Sequence, residues 1–231
     1  MSSSVVTPEM LRAHTRKIFR EGRGSRPEVS VVEVDGTTAV LKDYARCDPN
    51  FRRWLGPLSA RREARALELL RGVSGVPRLL GQPAPDAVLM EQVPGVSVRE
   101  VDGERLTPEF FERFYRLIYE IHRRGVAHCD LRSQGNILLG PDGQPYVVDF
   151  VAHCKQGAPW NPLTRWIFAK FCEADLTAVA RLKRARAPEL LTEEERNALA
   201  RDRKTPLERV ARAIGKSFRN VSRWLLTRRT S

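Results

Sequence analysis

The residues from 128 to 150 constrain the fold more than any other part of this sequence. They begin as a polar loop, His128-Cys-Asp-Leu-Arg-Ser-Gln-Gly-Asn136, and continue as two short apolar runs around the turn Gly-Pro-Asp-Gly-Gln-Pro. This pattern predicts a β-hairpin, because the runs carry strand-forming residues and the turn carries the residues that tight turns favour. Symmetric pairing about the turn would place Asn136 and Asp149 opposite one another at the open end of the hairpin.

Three oxygen-bearing side chains then come together, because Asp130 lies in the loop that leads into the hairpin. Carboxylate and amide oxygens suit a hard cation such as Mg²⁺, whose remaining ligands are phosphate oxygens. Asn136 or Asp149 taken alone is better explained as the cap of a turn. The combination of both with Asp130, and with His128 ahead of it, favours a metal and phosphate site.

Lys42 is the second constraint on function. It is the only lysine between Lys17 and Lys155, in a chain where 33 of the 40 cations are arginine. It ends the apolar run Thr-Thr-Ala-Val-Leu, where an unpaired charge is costly. A lysine held by a carboxylate and directed at phosphate oxygens explains both features, and a solvated lysine on an edge strand is the alternative. Glu63 on the following predicted helix suits the pairing better than Glu68.

Strand signals are concentrated in the first part of the chain, and helix signals in the last part. The runs 29–34 and 37–44 flank Asp35-Gly36, a strong two-residue hairpin signal. A connector at 91–95 leads to a larger helical part, and a cleft between two such parts is the expected ligand site. A first helix is predicted from the spacing of Met10, Leu11, His14, Ile18 and Phe19. Two more are predicted over 59–71, with Ser59 as N-cap, and over 107–124, with Thr107 as N-cap. Most of the chain after Val151 is also predicted to be helical.

Composition excludes several classes of protein. The chain of 231 residues is 42% hydrophobic, which argues against disorder, and no apolar run approaches the ~20 residues that span a bilayer. The four cysteines are far apart, so we expect reduced, packed thiols rather than a zinc site or a disulfide framework. The four tryptophans, Trp54, Trp160, Trp166 and Trp224, are expected to be packing residues rather than stacking platforms. Because the first residues do not form a secretory signal pattern, we expect a cytoplasmic protein, or one attached to the membrane from the cytoplasmic side.

These motifs together resemble the protein-kinase-like fold. Val40-Leu-Lys42, Glu63, Leu89-Met-Glu-Gln-Val-Pro-Gly95, His128-Cys-Asp130 with Asn136-Ile-Leu138, and Val148-Asp149-Phe150 occur in the order and approximate spacing of that family. In pattern the chain looks like the short bacterial kinases related to lipopolysaccharide core kinases and RIO-type atypical kinases. The resemblance implies an α+β, two-lobed fold, with a small antiparallel-sheet N-lobe with one main helix at 1–92 and a larger helical C-lobe at 93–204.

The resemblance also implies ATP-dependent phosphoryl transfer assisted by Mg²⁺. Asp130 would orient the acceptor hydroxyl and take its proton, while Asn136 and Asp149 would hold the Mg²⁺ on the phosphates. Lys42 would contact the α- and β-phosphates, and Glu63 would position it. Positioning and charge neutralisation are what phosphoryl transfer requires, and these residue types supply both.

The same resemblance places the nucleotide. The adenine would meet the backbone at Glu91 and Val93, and the turn that holds Gly22 and Gly24 would cover the phosphates. This turn departs from the family pattern, because Pro27 stands where a third glycine is usual.

Other departures bear on regulation and on the acceptor. Arg23 and Arg26 in the same turn either contact phosphates or form a solvated basic loop. Asn136 lies six residues after Asp130 rather than the usual five. Cys129 replaces the arginine that, in many regulated protein kinases, engages a phosphorylated activation loop, so activation of that kind is not expected. No Ala-Pro-Glu motif follows the hairpin at the usual distance, so a platform for a peptide substrate is not evident.

The segment from 205 to 231 carries half of the net charge of +12, with seven cations and one acid. Apolar residues recur at helical spacing from Leu207 to Leu225. A basic amphipathic helix of this kind, over 207–229, is typical of attachment to an anionic membrane surface. A terminal helix packed on the large lobe is the alternative, and nucleic-acid binding is disfavoured because no recognised binding module accompanies the charge.

The predicted activity is transfer of the ATP γ-phosphate to a hydroxyl group. The leading acceptor is a sugar of a membrane glycolipid, as in the lipopolysaccharide core kinases. A serine/threonine protein kinase that acts mainly on itself is one alternative. A nucleotide-binding scaffold without turnover is another.

Overall fold

The structure is a computed structural model, and it describes residues 7–34 and 36–202. These residues form two compact units, one made of residues 7–71 with 77–92 and the other of residues 72–76 with 93–202. The first unit contains a sheet and two helices, and the second is mainly helical. The predicted domains 1–92, 93–204 and 205–231, and the predicted cleft, stay predictions.

The first unit is built on an antiparallel sheet. Its elements are α1 (Pro8–Ala13), β1 (Thr15–Arg20), β2 (Glu28–Val34), β3 (Thr37–Asp43), α2 (Pro49–Leu69), β4 (Leu79–Ala84) and β5 (Ala87–Glu91). The strands lie in the order β1-β2-β3-β5-β4. The predicted hairpin is present as β2 and β3, which pair with Val34 opposite Thr37, and Gly36 takes the left-handed conformation that such a turn requires.

The sheet has two different faces, because side chains alternate along each strand. Ala39 and Leu41 of β3 face α1 and pack against Leu11 in a buried apolar cluster. Lys42, the next residue, points to the opposite face, where α2 packs. The sheet therefore shields its apolar side with α1 and directs the one buried lysine of this unit toward α2.

Two predicted helix boundaries in this unit are wrong. The first helix ends at Ala13, and the chain continues as β1, so Ile18 and Phe19 lie in an exposed strand. The second helix begins at Pro49 rather than at Ser59, which is buried inside it. Pro57 lies inside this helix, which continues through it because packing against the sheet outweighs the loss of one backbone hydrogen bond.

The second unit contains three α-helices and several short strands. Its elements are β6 (Val96–Ser97), α3 (Pro108–Arg123), β7 (Val126–Ala127), β8 (Ile137–Leu139), β9 (Pro145–Val147), β10 (Cys154–Lys155), α4 (Pro162–Arg186) and α5 (Glu193–Asp202). The prediction for α3 holds closely. Thr107 caps its N-terminus by accepting a hydrogen bond from the backbone N–H of Phe110, and Gly125 follows its end in the left-handed conformation.

The predicted hairpin after the polar loop forms, with a register one residue away from the prediction. Ile137 pairs with Val147, so Asn136 lies opposite Val148 and not opposite Asp149. The reason is the turn, which has three residues between the bonded pair Gly140 and Gln144 rather than an even number. Asp149 therefore follows the end of the hairpin pairing.

The remaining expectations for the fold concern the cysteines, the tryptophans and helices that could span a membrane. All four cysteines are free thiols. The prediction of packed tryptophans is wrong for the three described ones, since Trp54, Trp160 and Trp166 are all exposed. No helix in the described ranges is long and apolar enough to cross a membrane. The predicted basic helix 207–229 and Trp224 lie outside the described residues.

Candidate active site

A buried ion pair joins the sheet of the first unit to its main helix. The ammonium nitrogen of Lys42 lies 2.7 Å from an Oε2 carboxylate oxygen of Glu63. Both residues are removed from solvent, with 4% and 1% of their surface exposed. Glu63, and not Glu68, is thus the partner, because Glu63 faces the sheet while Glu68 is exposed and pairs with Arg71. Removing either member of such a pair leaves a buried charge uncompensated, at a cost of about 3–5 kcal/mol.

The turn at Gly22 and Gly24 is a tight structure anchored to the start of α2. The backbones of Arg23 and Arg26 exchange two hydrogen bonds of 3.0 Å, and Gly24 between them is left-handed. The carbonyl of Gly24 accepts a 2.8 Å hydrogen bond from the N–H of Asp48, the residue before α2. The structure thus ties this turn to α2, and its predicted role in covering a nucleotide stays a prediction.

The end of β5 carries the predicted adenine contacts. The N–H of Glu91 donates to the carbonyl of Arg78 at 2.9 Å, and the Glu91 carboxylate accepts from the N–H of Arg78 at 3.1 Å. The backbone N–H of Glu91 is therefore engaged within the sheet. The predicted contact of Glu91 and Val93 with the adenine stays a prediction.

In the second unit the polar loop brings Asp130 and Asn136 together. The side-chain Nδ2 of Asn136 donates to the main-chain carbonyl of Asp130 at 3.0 Å and to its Oδ2 at 3.3 Å. With the amide nitrogen turned to Asp130, the amide oxygen of Asn136 points the other way. An amide oxygen fixed in this manner is suited to a hard cation.

Two residues of this region have strained backbones. Cys129 and Asp149 have φ angles of 68° and 67°, and they are the only non-glycine residues with positive φ in the described part of the chain. Each such residue costs roughly 1–3 kcal/mol and persists only when its surroundings hold it. Strained residues of this kind are concentrated at functional sites. Here Cys129 directly precedes Asp130, and Asp149 follows the paired residues of the hairpin.

His128 connects the loop to the residue that precedes Asp149. Its Nδ1 accepts a hydrogen bond from the backbone N–H of Asp130 at 3.2 Å, so Nε2 carries the proton and donates to the carbonyl of Val148 at 3.0 Å. The ring is fully buried and contacts Phe150, with ring centroids 4.7 Å apart. His128 therefore sets the position of Asp130 relative to the segment that contains Asp149.

Asp175 of α4 holds the same loop from the other side, and sequence reasoning did not single it out. Its carboxylate accepts hydrogen bonds from the backbone N–H groups of His128 at 2.7 Å and Cys129 at 2.9 Å. The Nε2 of His122 donates a hydrogen bond of 3.1 Å to the same carboxylate. The available signal was a lone acid on the apolar side of a long helix, one turn before the buried Ala178.

The cysteine next to Asp130 is kept as a thiol. Burial raises the pKa of Cys129 far above its usual value, and the negative charge of Asp175 raises it further. Its Sγ is 3.4 Å from the carbonyl of Ala127. Cys129 is thus a packed residue, as expected for these cysteines.

The donor set fits Mg²⁺ bound together with phosphates. No group of three or more His, Cys, Asp or Glu side chains in the described residues could hold a metal by itself. Mg²⁺ does not require such a cage, because one or two carboxylates plus phosphate oxygens and water suffice. Asn136, with its oriented amide, and Asp149, with its strained backbone, are the residues that would hold the ion.

Comparisons with known proteins agree with the resemblance seen in the motifs. No protein-family model matches the chain. The chain is 37% identical over 81 residues to 3-deoxy-D-manno-octulosonic acid kinases from Xylella fastidiosa strains M12 and M23. These matches cover 35% of this chain and 30% of each relative, so the chain spans about a third of the length of those relatives.

Solved structures define the fold. The Rio2 kinase from Chaetomium thermophilum superimposes with a TM-score of 0.56 at 18% identity, covering 76% of this chain and 59% of that one. Its complex with ADP/Mg²⁺ and phosphoaspartate gives a TM-score of 0.60 at 15% identity, covering 91% and 73%. The α+β, protein-kinase-like fold is confirmed, as is the likeness to lipopolysaccharide core kinases and RIO-type kinases.

Proposed function

We propose that this protein is an ATP-dependent phosphotransferase that moves the γ-phosphate to a hydroxyl group. The observation that carries the proposal is the buried ion pair between Lys42 and Glu63. Buried ion pairs contribute little net stability compared with apolar packing, so a role in binding phosphate explains this one better than stability does. The Lys42 ammonium would neutralise charge on the phosphates, and Glu63 would hold it in place.

The residues of the second unit supply the rest of the chemistry. Asp130 would accept a hydrogen bond from the acceptor hydroxyl, orient its oxygen toward the γ-phosphorus and take its proton at a carboxylate oxygen. As the new O–P bond forms, the bond from the γ-phosphorus to the β–γ bridging oxygen breaks and ADP leaves. Asn136 and His128 keep Asp130 in place through the hydrogen bonds described above. Mg²⁺ held by Asn136 and Asp149 would neutralise developing charge on the phosphates. Fixed positions matter because phosphoryl transfer gains mainly from alignment and electrostatics.

The acceptor we propose is a sugar of a membrane glycolipid. The support is the sequence similarity to enzymes described as 3-deoxy-D-manno-octulosonic acid kinases, whose name specifies a sugar acid as substrate. The basic segment 207–229 and the missing peptide-platform motif fit the same acceptor. On this proposal the protein works on the cytoplasmic side, as a peripheral membrane protein.

A phosphate-transfer assay tests the proposal. The purified full chain is incubated with γ-labelled ATP and Mg²⁺, with and without deacylated lipopolysaccharide, and the label is separated into glycolipid and protein fractions. We expect label in the glycolipid, lost in Asp130→Asn and kept in Asp142→Asn. The second variant is a matched control, because Asp142 is an exposed carboxylate in the turn of the same hairpin.

The other outcomes separate the alternatives. Label that enters only the protein itself would identify a serine/threonine protein kinase and reject the glycolipid acceptor. Tight Mg-ATP binding with no transfer to any acceptor, and with equal phosphate release in wild type and Asp130→Asn, would identify a nucleotide-binding scaffold.

A further inference from the structure

An exposed group of apolar side chains lies at the start of α4. Trp160, Leu163 and Trp166 expose 84%, 62% and 49% of their surface, and we call these three residues the aromatic patch. They occur at intervals of three residues, so the latter two are neighbours on the helix surface and Trp160 lies just ahead of them. A contiguous apolar surface that includes two exposed indoles marks an interaction site rather than ordinary surface.

The charged residues near the aromatic patch indicate the chemistry of the surface that it binds. The sequence from 150 to 172 contains three cations and no acidic residue. Lys170 forms an ion pair of 2.6 Å with Glu173, whereas Lys155 and Arg165 are exposed. Arg165 directly precedes Trp166 in the chain, and Lys155 lies five residues before Trp160. A surface that combines indole rings, a leucine and cations is complementary to lipid headgroups that carry negative charge.

We propose that the aromatic patch binds the headgroup layer of an anionic membrane. Tryptophan prefers this layer because its ring is apolar while its N–H can still reach water or phosphate. Leu163 would enter the boundary of the acyl chains between the two indoles, and Lys155 and Arg165 would contact lipid phosphates. A protein partner would instead have to supply an acidic rim to match these cations, which makes it the second choice.

The position of the patch relative to the catalytic loop gives the contact a purpose. The segment that follows Asp149 is fastened to the strand before that loop, because β10 pairs with β7 and the N–H of Gln156 donates to the carbonyl of Gly125 at 2.8 Å. Farther along α4, Asp175 holds the loop itself. Trp166 lies nine residues before Asp175, a distance of about 14 Å along the helix.

Membrane contact through the aromatic patch would therefore bring the catalytic loop close to the headgroups. For a glycolipid acceptor this would present the sugar to Asp130 without extracting the lipid from the bilayer. That consequence rests on the proposed glycolipid kinase activity, whereas the membrane contact itself does not.

Fluorescence quenching by brominated lipids tests the contact without requiring turnover. In the full chain, Trp54→Phe/Trp224→Phe leaves only the two indoles of the patch. A second variant, Trp160→Phe/Trp166→Phe/Trp224→Phe, leaves only Trp54, which is 65% exposed on the other unit and serves as the matched control. With mixed vesicles of phosphatidylcholine and brominated phosphatidylglycerol, we expect strong quenching of the first variant and little of the second.

Vesicle sedimentation gives the second measurement. Trp160→Ala/Trp166→Ala should weaken binding of the full chain to phosphatidylcholine–phosphatidylglycerol vesicles by about tenfold or more, because two large apolar groups no longer leave water. Arg165→Gln should weaken it by about fivefold, and Trp54→Ala should leave it unchanged. Circular dichroism verifies that each variant is folded, which is expected for exposed positions.

Three outcomes would overturn the proposal. One is equal quenching of the two variants while the protein is bound to vesicles, which would assign the contact to another segment such as 207–229. Another is the absence of vesicle binding by the wild type. The last is binding that the patch substitutions do not change. A protein that binds vesicles through the patch but transfers no phosphate would refute the proposed kinase activity and leave the membrane contact standing.

Discussion

Replacing Asp175 by asparagine should uncouple the catalytic loop from the helix that supports it. The Asp175 side chain is 2% exposed and accepts two backbone hydrogen bonds, from His128 at 2.7 Å and Cys129 at 2.9 Å. Asparagine has nearly the same shape but only one acceptor oxygen. Its NH₂ group would face one of the two N–H donors, so that donor would lose its partner in a buried place.

The structure gives the size of the effect. A hydrogen bond to a charged group contributes about 1.5–3 kcal/mol, and a buried donor left without a partner costs about 1–3 kcal/mol. We therefore expect Asp175→Asn to lower the free energy of unfolding by about 2–4 kcal/mol. The asparagine oxygen is expected at the Oδ2 position, where it accepts from both His128 and His122, so Cys129 would be the donor that loses its partner. Because that contact holds the left-handed backbone of Cys129, we expect the loop to relax and phosphate transfer to fall more than the loss of folded protein explains.

Urea denaturation followed by circular dichroism measures the stability, and the labelled-ATP assay measures the activity at a temperature where the variant is folded. Glu173→Gln is the matched control, because Glu173 lies on the same helix, is exposed and forms an ion pair with Lys170. An Asp175→Asn protein as stable as the control, with full activity, would show that the carboxylate does not support the loop.

Substitutions at three further places test other parts of the proposed site and of the fold. Lys42→Met should abolish transfer and also destabilise the protein by about 3–5 kcal/mol, because it removes the cation that compensates the buried charge of Glu63. Lys42→Met/Glu63→Gln should recover stability in urea but no activity. Recovered activity would contradict the role of Lys42. Asp149→Asn should reduce transfer by about 10²-fold or more with an unchanged urea midpoint, and near-normal rates would refute its assignment as a metal ligand. Burial would raise the pKa of Glu195, but hydrogen bonds from Lys183, Tyr115 and the Thr192 backbone together lower it below its ordinary value of 4.5. The pKa of Glu195 is depressed in the folded state, so its contribution to stability is present above pH 4.5 and is lost as the pH falls through the lowered value. Urea midpoints measured across this pH range should show the decline, and Glu195→Gln should flatten their pH dependence. Identical pH dependence of the midpoints in wild type and variant would contradict the coupling.

Local sequence signals predicted the parts of the structure whose causes are local. The helix α3 follows from Thr107 as its cap and Gly125 as its end, and the hairpin of β2 and β3 follows from the turn between them. The pairing of Lys42 with Glu63 could be predicted because a lysine at the end of an apolar strand requires a carboxylate on whatever packs beside it.

The misses share a different origin. Pro57 marks a break by local rules, yet α2 continues because its buried face is held by the sheet. The register of β8 and β9 depended on the number of residues in the turn, which composition does not determine. Trp160 and Trp166 were expected inside because tryptophan is usually well buried, and only the packing of the second unit shows that they are outside.

The sequence by itself singled out the candidate residues of the proposed chemistry: Lys42, Asp130, Asn136 and Asp149 are identifiable from residue type and spacing. The tertiary structure alone decided how the second-unit members of this set are held. The positive φ at Asp149, the orientation of the Asn136 amide and the support from Asp175 all arise from contacts between segments far apart in the chain. Such contacts depend on packing across the whole unit, and no short stretch of sequence contains both of their sides.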